Sequence, residues 1–539
     1  MQPRSIQWKV TVTSVVGALL AGLGAALAIC WDDIFYAILG KEMRLTPTSR
    51  GYQIWKEPPL PMYLDFYFFN WTNPEQINDN SSRPHVVEMG PYRFRETKEK
   101  VDITWNNENS TVSYRQLRRW YYVEEESNGN LEDNVTTLNV IAASAVYSSR
   151  DWSFLRQKGV ELGLAMFHQT ISVTKTVREL LFDGYEDPLL DLANSLPRSE
   201  TNAPAVDKFG WFYERNGSTT NDGYFNMATG VDNMDNFGIL KNWNNASKTN
   251  FFEGECGKVQ GSAGEFFPSK LTKTEPISLF SPDICRTMSF DYDETIFIEN
   301  IPAYKYSSGD RLLDNGTIFE ENKCFCVGEC QPSGLVNVSA CRYGSPAFVS
   351  LPHFHKADPS YRQSVKGLSP DNDKHNFYMA LEPVSGIPLD VAARLQLNIL
   401  IYPNPNVGLF SKVQKIYLPV LWFEQHVTLS GELAGSIKLL LTVPLIGNIV
   451  ALSLFVIGII IIMWTPIRIN IRACTNVEKK STSREDKSLR VILNNMRGPK
   501  ENVSMLPDAQ DREEQKNEDE EASDALTTVN NLSETVQIA

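Results

Sequence analysis

An α+β ectodomain held between two membrane-spanning helices is the fold class this sequence predicts. Three observations carry the prediction. A long charge-free apolar run lies near each end, and the span between them is rich in N-x-[ST] sequons and cysteines. Within that span, aromatic strand-like runs are interrupted by one helical stretch.

From Val10 to Trp31 there are 22 consecutive residues without a charge, and from Leu439 to Ile467 there are 29. A helix rising about 1.5 Å per residue needs about 20 residues to cross the hydrocarbon core, so both runs suffice. The second holds Leu452–Ile462, with Pro444 and Asn448 near its outer end, where a kink or polar group is tolerated. Two readings fit the first. Arg4 and Lys9 ahead of an apolar stretch ending near Ala26-Leu27-Ala28 suit a cleaved secretory signal. Its length, with small residues at helical spacing (Gly17, Ala21, Ala25), suits a retained, packed membrane helix.

Flanking charge sets the sidedness. Arg4 and Lys9 precede the first run, and Arg468, Arg472, Lys479 and Lys480 follow the second. Basic flanks stay in the cytosol, which predicts a cytosolic arm (1–9), a first span (10–31), an exported domain (32–438), a second span (439–467) and a cytosolic tail (468–539). Eight sequons fall in the exported span, at Asn70, Asn80, Asn109, Asn134, Asn216, Asn245, Asn315 and Asn337, together with six of the eight cysteines. Residues 10–467 carry 38 basic and 51 acidic side chains. A surface this acidic argues against nucleic acid as a partner.

Inside the exported domain, Tyr63–Trp71 and Glu88–Arg95 are aromatic-rich runs bounded by turn residues and read as strands, as do Ala380–Leu381, Leu395–Tyr402 and Ile416–Phe423. The stretch 138–182 differs. Val173, Val177, Leu180 and Leu181 recur at helical spacing and Asn139–Tyr147 is small and apolar, so two or three helices are expected there. Pro188, Pro197 and Pro204 close the stretch. The tail divides into a basic half (468–500), suited to the anionic inner leaflet, and an acidic half (501–539) low in apolar residues, with the composition of a disordered segment.

Cys256, Cys285, Cys324, Cys326, Cys330 and Cys341 allow 15 disulfide pairings, and spacing does not choose among them. Four of these thiols could hold a metal, but an oxidising compartment favours disulfides, and no metal is expected. No catalytic motif appears among the six histidines and no cofactor is implied. His353 and His355 would share one face of a strand, as a surface or satisfied pair. Cys474, just inside the second span beside basic residues, is a palmitoylation candidate. Glu501, Met505 and Leu506 follow the spacing of an acidic dileucine sorting signal, which would contact a clathrin adaptor. The tail has no tyrosine to supply the tyrosine-based kind.

Several ordered stretches resemble the class B scavenger receptor family, which includes the fatty-acid translocase and the lysosomal integral membrane receptors. They are Phe69–Pro74, Glu88–Tyr92, Arg178–Leu181 with Gly184–Pro188, Ser281–Arg286, Cys324–Cys326, Ser350–Phe354, Ala393–Asn398 and Pro419–Trp422. The resemblance implies a retained first span and a large antiparallel β core with an internal apolar tunnel, under a helical apical bundle at 138–182. By cysteine order it implies the pairs Cys256–Cys324, Cys285–Cys341 and Cys326–Cys330. It implies a receptor at the plasma membrane, cycling through endosomes or lysosomes. Such a receptor captures lipids (fatty acids, sterols, carotenoids or phospholipids) or lipoprotein-like particles and takes them up by tunnel and endocytosis. Lys158, Lys175 and Arg178, with His168 as a pH-sensitive member, are the basic groups expected at the tunnel mouth. The apical lysine linked to fatty-acid capture in some relatives has no clear counterpart near Met166–His168. The family's insect sensory-neuron branch, which presents lipid pheromones, tends to carry extra cysteines before the shared set. None lies between Cys30 and Cys256, so an invertebrate-type member outside that branch is expected. A receptor for protein cargo, or for adhesion, is the alternative.

Overall fold

A computed structural model describes residues 4–195, 205–429 and 431–495. Contacts divide the chain into two units, 19–457 and a second made of the two ends. In chain order the helices are α1 (Arg4–Met43), α2 (Arg50–Lys56), α3 (Val140–Ser148), α4 (Phe154–Met166), α5 (Pro188–Ser195), α6 (Pro359–Gln363), α7 (Asn372–His375) and α8 (Gly431–Asn495). The first strands are β1 (Met62–Trp71), β2 (Val86–Asn106), β3 (Thr111–Tyr122), β4 (Asn134–Leu138), β5 (Ser172–Thr176), β6 (Tyr185–Glu186), β7 (Lys208–Phe209), β8 (Phe225–Ala228) and β9 (Leu240–Trp243). After them come β10 (Ile277–Ser281), β11 (Arg286–Ile298), β12 (Ile301–Ser307), β13 (Val336–Asn337), β14 (Ala347–Ser350), β15 (Tyr378–Leu381), β16 (Pro388–Ile401) and β17 (Ile416–Thr428).

One antiparallel sheet dominates the larger unit. Its order is β10-β11-β12-β15-β16-β17-β1-β2-β3-β8-β9, with β13 and β14 attached alongside β16. The aromatic run of β1 pairs on both sides, with β17 (Phe66 opposite Phe423) and with β2 (Phe66 opposite Tyr92). Between Phe66 and Phe68 the β1–β2 register slips by a bulge. There Gly90, at φ 122°, lies so near that a Cβ would stand 2.7 Å from the Phe66 carbonyl oxygen, so only glycine fits.

The sheet closes nearly into a barrel, and its seam is a single residue. Ser262 bridges Leu279 of β10 on one side and Ile239, just before β9, on the other. The joining bonds are Leu240 N–H to Gly261 O (2.9 Å), Ser262 N–H to Ser278 O (2.9 Å) and Phe280 N–H to Ser262 O (2.9 Å). Closure removes the open edges that would otherwise invite foreign strands.

Two helices are long and apolar enough to cross a membrane, over Trp8–Met43 and Leu433–Arg468. Both exceed the charge-free runs, so the helical rods extend past Asp32 and Asp33 at one end and begin before Leu439 at the other. Within the larger unit, Gly24 lies against the backbone of Ala451 and Phe455, and Gly447 against the Trp31 ring, the close approach that small residues permit. Within the smaller unit, Gly17 faces Gly458, Ile461 and Ile462. The extension of α1 is anchored by Phe35 and Leu39, both buried.

Two expectations are corrected here. The stretch 138–182 holds α3 and α4, but residues 172–176 are a strand, β5, paired antiparallel with β4. The spacing of Val173, Val177, Leu180 and Leu181 is shared between that strand and one π-helical turn (Glu179–Asp183). His353 and His355 do not sit on a strand. They lie in and just after a short turn (Pro352–Phe354) in which His353 and Phe354 take left-handed backbone angles (φ 53° and 51°), so strand alternation does not apply to them.

Candidate functional site

The helical stretch contains a helix whose two faces are inverted. In α4, Leu155, Gly159, Leu162 and Met166 lie within about 60° of one another at 100° per residue. Leu155 is 80% exposed, Leu162 68% and Met166 59%, and nothing stands within 4 Å of where a Gly159 Cβ would be. Phe154 beside them is 62% exposed. The opposite face holds Gln157, Glu161 and Leu164. Single exposed leucines are ordinary, but an apolar stripe along one solvent face marks an interaction surface.

Polar bonds on the inner face explain why the helix docks this way round. Gln157 is buried, and its Nε2 donates to the carbonyls of Ser149 (3.1 Å), Arg150 (2.9 Å) and Trp152 (3.0 Å), satisfying the end of α3. Its Oε1 accepts from Asn406 Nδ2 (2.7 Å), in the connection between β16 and β17. Glu161 accepts from Lys158 Nζ (2.5 Å) and from Gly408 N–H (3.2 Å), and those bonds hold its carboxyl below the usual carboxylate range. Asn139 caps α3 through Ala142 N–H (3.0 Å) and ties it to Gln169 (2.6 Å).

Under these helices lies an aromatic cluster. Phe66, Phe94, Trp120, Phe182 and Phe212 meet at centroid distances of 4.9 to 6.4 Å, as in Phe66–Phe212 (4.9 Å), Phe94–Phe182 (5.1 Å) and Phe66–Phe182 (6.4 Å). Val146 of α3 and Leu164 of α4 belong to the same continuous core as these rings.

Charge follows farther along the same strands. Side chains of β2 alternate, so Phe94, Glu96, Lys98 and Lys100 share a face, opposite Tyr122, Trp120, Arg118 and Gln116 of β3. Arg118 Nε donates to Glu96 Oε1 (2.6 Å) and Gln425 Nε2 to Glu96 Oε2 (2.7 Å). Lys98 and Lys100 both donate to Glu265 Oε1, at 2.6 and 2.9 Å. Burial pushes the Lys100 ammonium down to about 8, against the restraint of Glu265 first and of Glu96 after it. For Glu265, burial works upward but the two lysines outweigh it and hold the carboxyl at about 2.

Three of the residues expected at a shared mouth each hold an acidic partner of their own. Lys158 pairs with Glu161, Lys175 with Glu179 (3.9 Å) over the Tyr185 ring (4.7 Å), and Arg178 with Glu132 (2.7 Å). His168 is exposed at the end of α4, with φ 50°. Each of these three cations has its own carboxylate, and α4 also presents the leucine stripe, which reading for charge passed over. Its signal was present: Leu155, Leu162 and Met166 share a helical face, while Gln157 and Glu161 occupy the other.

The cysteines are bonded as Cys256–Cys324, Cys285–Cys341 and Cys326–Cys330, with Cα separations of 5.7, 6.4 and 5.1 Å. Among the sequons, Asn80, Asn109, Asn134, Asn216 and Asn245 are exposed, and Asn70 and Asn337 are half-buried. Asn315 differs from the others. It is buried, and its amide nitrogen, the atom a glycan would be joined to, donates to the Gln331 carbonyl instead. Cys474 is exposed with a free thiol. Glu501, Met505 and Leu506 lie outside the described residues.

A family model described as the CD36 family matches residues 15–469. The protein peste of Drosophila melanogaster is 39% identical over 476 residues, covering 87% of this chain and 85% of its own. Scavenger receptor class B member 1 of Rattus norvegicus is 35% identical over 428 residues (79% and 82%). Lysosome membrane protein 2 of Homo sapiens is 31% identical over 427 residues (78% and 86%).

Proposed function

The chain belongs to the CD36 family, and we propose that it is a two-pass receptor that captures lipids or lipid-bearing particles on the outer face of α4. Captured apolar ligand passes along the interior of the barrel toward the bilayer, and particles are internalised by endocytosis. The family makes the chain a scavenger-type receptor of the plasma membrane or lysosome. The step from family to mechanism rests on one observation, the stripe of Leu155, Leu162 and Met166 held outward by a polar inner face. An apolar surface removed from water gains about 25 cal/mol per Å², so a lipid monolayer or acyl chain binds the stripe without chemistry.

Other features support the remaining parts of the reading. The near-closed barrel with an aromatic upper interior suits a conduit for an apolar molecule. Basic flanks beyond both helices suit cytosolic ends, and exposed sequons suit glycosylation of the span between them. Cys474 suits a lipid anchor and Glu501–Leu506 a clathrin adaptor. The decisive experiment replaces Leu155, Leu162 and Met166 with glutamine in cells and measures capture of fluorescent lipoprotein particles at matched surface levels. Capture should fall at least tenfold. Unchanged lipid capture would defeat the reading, and loss of a protein cargo alone would favour the cargo-receptor alternative.

A further inference from the structure

A pair of buried histidines, one in the turn Pro352–Phe354 and one at the end of α7, lies outside the stripe. His353 and His375 stack with centroids 4.4 Å apart and planes 19° from parallel, and each is 5% exposed. Their hydrogen bonds fix where their protons are. Ser369 N–H donates to His353 Nδ1 (3.1 Å) and Asp371 N–H donates to His375 Nδ1 (2.9 Å). A backbone amide can only donate, so both Nδ1 atoms present lone pairs and each neutral ring carries its proton on Nε2. That of His353 meets Glu88 Oε2 (2.7 Å), which also accepts from Trp422 Nε1 (2.7 Å).

The rings therefore act as acceptors that pin down Ser369–His375. The same segment is held by Arg394, whose Nη1 donates to the carbonyls of Asp373 (3.0 Å) and Asn376 (2.8 Å). Its outer part, Asp371 to Lys374, is exposed. A second proton on His375 would have to enter at Nδ1, opposite an N–H, and would place a cation face to face with His353. The facing groups divide: Glu88 from β2 and Asp371 at the head of α7 favour the charge, while His353 and His355 oppose it. His353 has a carboxylate against its Nε2, whereas His375 has none within hydrogen-bond distance among the described residues.

We propose that His375 is the trigger of an acid-released latch: neutral, it clamps Ser369–His375 to the sheet, and protonation breaks the Asp371 bond and frees that exposed segment. The latch is independent of what α4 binds. Burial first, then His353, holds His375 down to about 4, against an ordinary 6.5 in an open segment. The neutral clamp is thus at full strength above about 6.5 and weakens as pH falls toward 4. From pH 7.4 to 5.0 the opening equilibrium rises about 30-fold.

Hydrogen–deuterium exchange on the full chain in lipid nanodiscs, corrected for the intrinsic pH dependence of exchange, tests this. At pH 5.0 residues 366–377 should lose protection while β16 keeps it, and return to pH 7.4 should restore it. His375→Asn, whose Oδ1 still accepts from Asp371, should stay protected at pH 5.0. Equal protection of 366–377 at both pH values in the wild type would overturn the latch, as would acid loss shared equally by β16 or persisting in His375→Asn. Should that variant fail to fold, the wild-type comparison alone decides.

Discussion

Helix α4 and the β2–β3 wall both reverse the usual placement of side chains, in opposite senses. On α4, Leu155, Leu162 and Met166 face water while Gln157 and Glu161 join Leu164 against the protein. On β2 and β3, Glu96, Lys98, Lys100 and Arg118 face inward among aromatic rings. The two reversals have different energetics. The exposed leucines forgo a gain that a partner can later supply, so removing them leaves the folded chain intact. The inward charges have lost their hydration and depend on one another, so removing one strands its partner. A binding surface can thus be altered without touching stability, whereas the barrel wall cannot.

Breaking the wall gives the largest expected effect. Glu96→Leu leaves the buried Arg118 only its longer contact to Asp222 (3.6 Å) and should cost about 3–5 kcal/mol in thermal or denaturant unfolding, while adding Arg118→Met should recover most of the loss. If Glu96→Leu costs less than about 1 kcal/mol, the wall charges are not interdependent. Next comes Glu265→Gln. The Glu265 carboxyl sits at about 2 against an ordinary 4.5, so its stabilisation is complete above 4.5 and disappears as pH falls through about 2. The substitution should lower stability at pH 7 by about 3 kcal/mol and flatten the acid limb of the stability curve. An unaltered acid limb would show that the two lysines do not depend on it. The smallest effect sharpens the contrast from the other side. The Leu155, Leu162, Met166 glutamine triple should change stability by no more than about 0.5 kcal/mol while particle capture is lost. A larger destabilisation would mean the stripe is packed after all.

Much of this was legible in the sequence, and the losses have physical reasons. The β1 run, Tyr63–Trp71, reads as a strand because aromatic residues suit a pleat buried on both faces. The continuation of β2 to Asn106 does not, since Glu96, Lys98 and Lys100 look like surface residues until their partners on β3 and at Glu265 are seen. Those partners lie up to 329 residues away, as Gln425 does from Glu96, and no local pattern announces them. Strand β5 was hidden because its apolar residues continue into the π turn at a spacing that imitates a helix. The cysteine pairs followed from resemblance to the family and not from spacing, which leaves 15 possibilities. The exposure of Leu155, Leu162 and Met166 follows from the polar partners of Gln157 and Glu161 in the β16–β17 connection, which no local pattern in α4 announces.

The seam at Ser262 has a mechanical consequence. The ladders between neighbouring strands vary in length, with eleven paired positions between β2 and β3 and three between β8 and β9, yet β9 and β10 meet through one residue and three backbone bonds. A cask of staves bound so unequally has one weak stave. Swelling of the interior by a bulky occupant would be relieved first along the line of Ser262, whose segment is riveted six positions earlier by Cys256 to Cys324. The rivet limits how far that stave can travel.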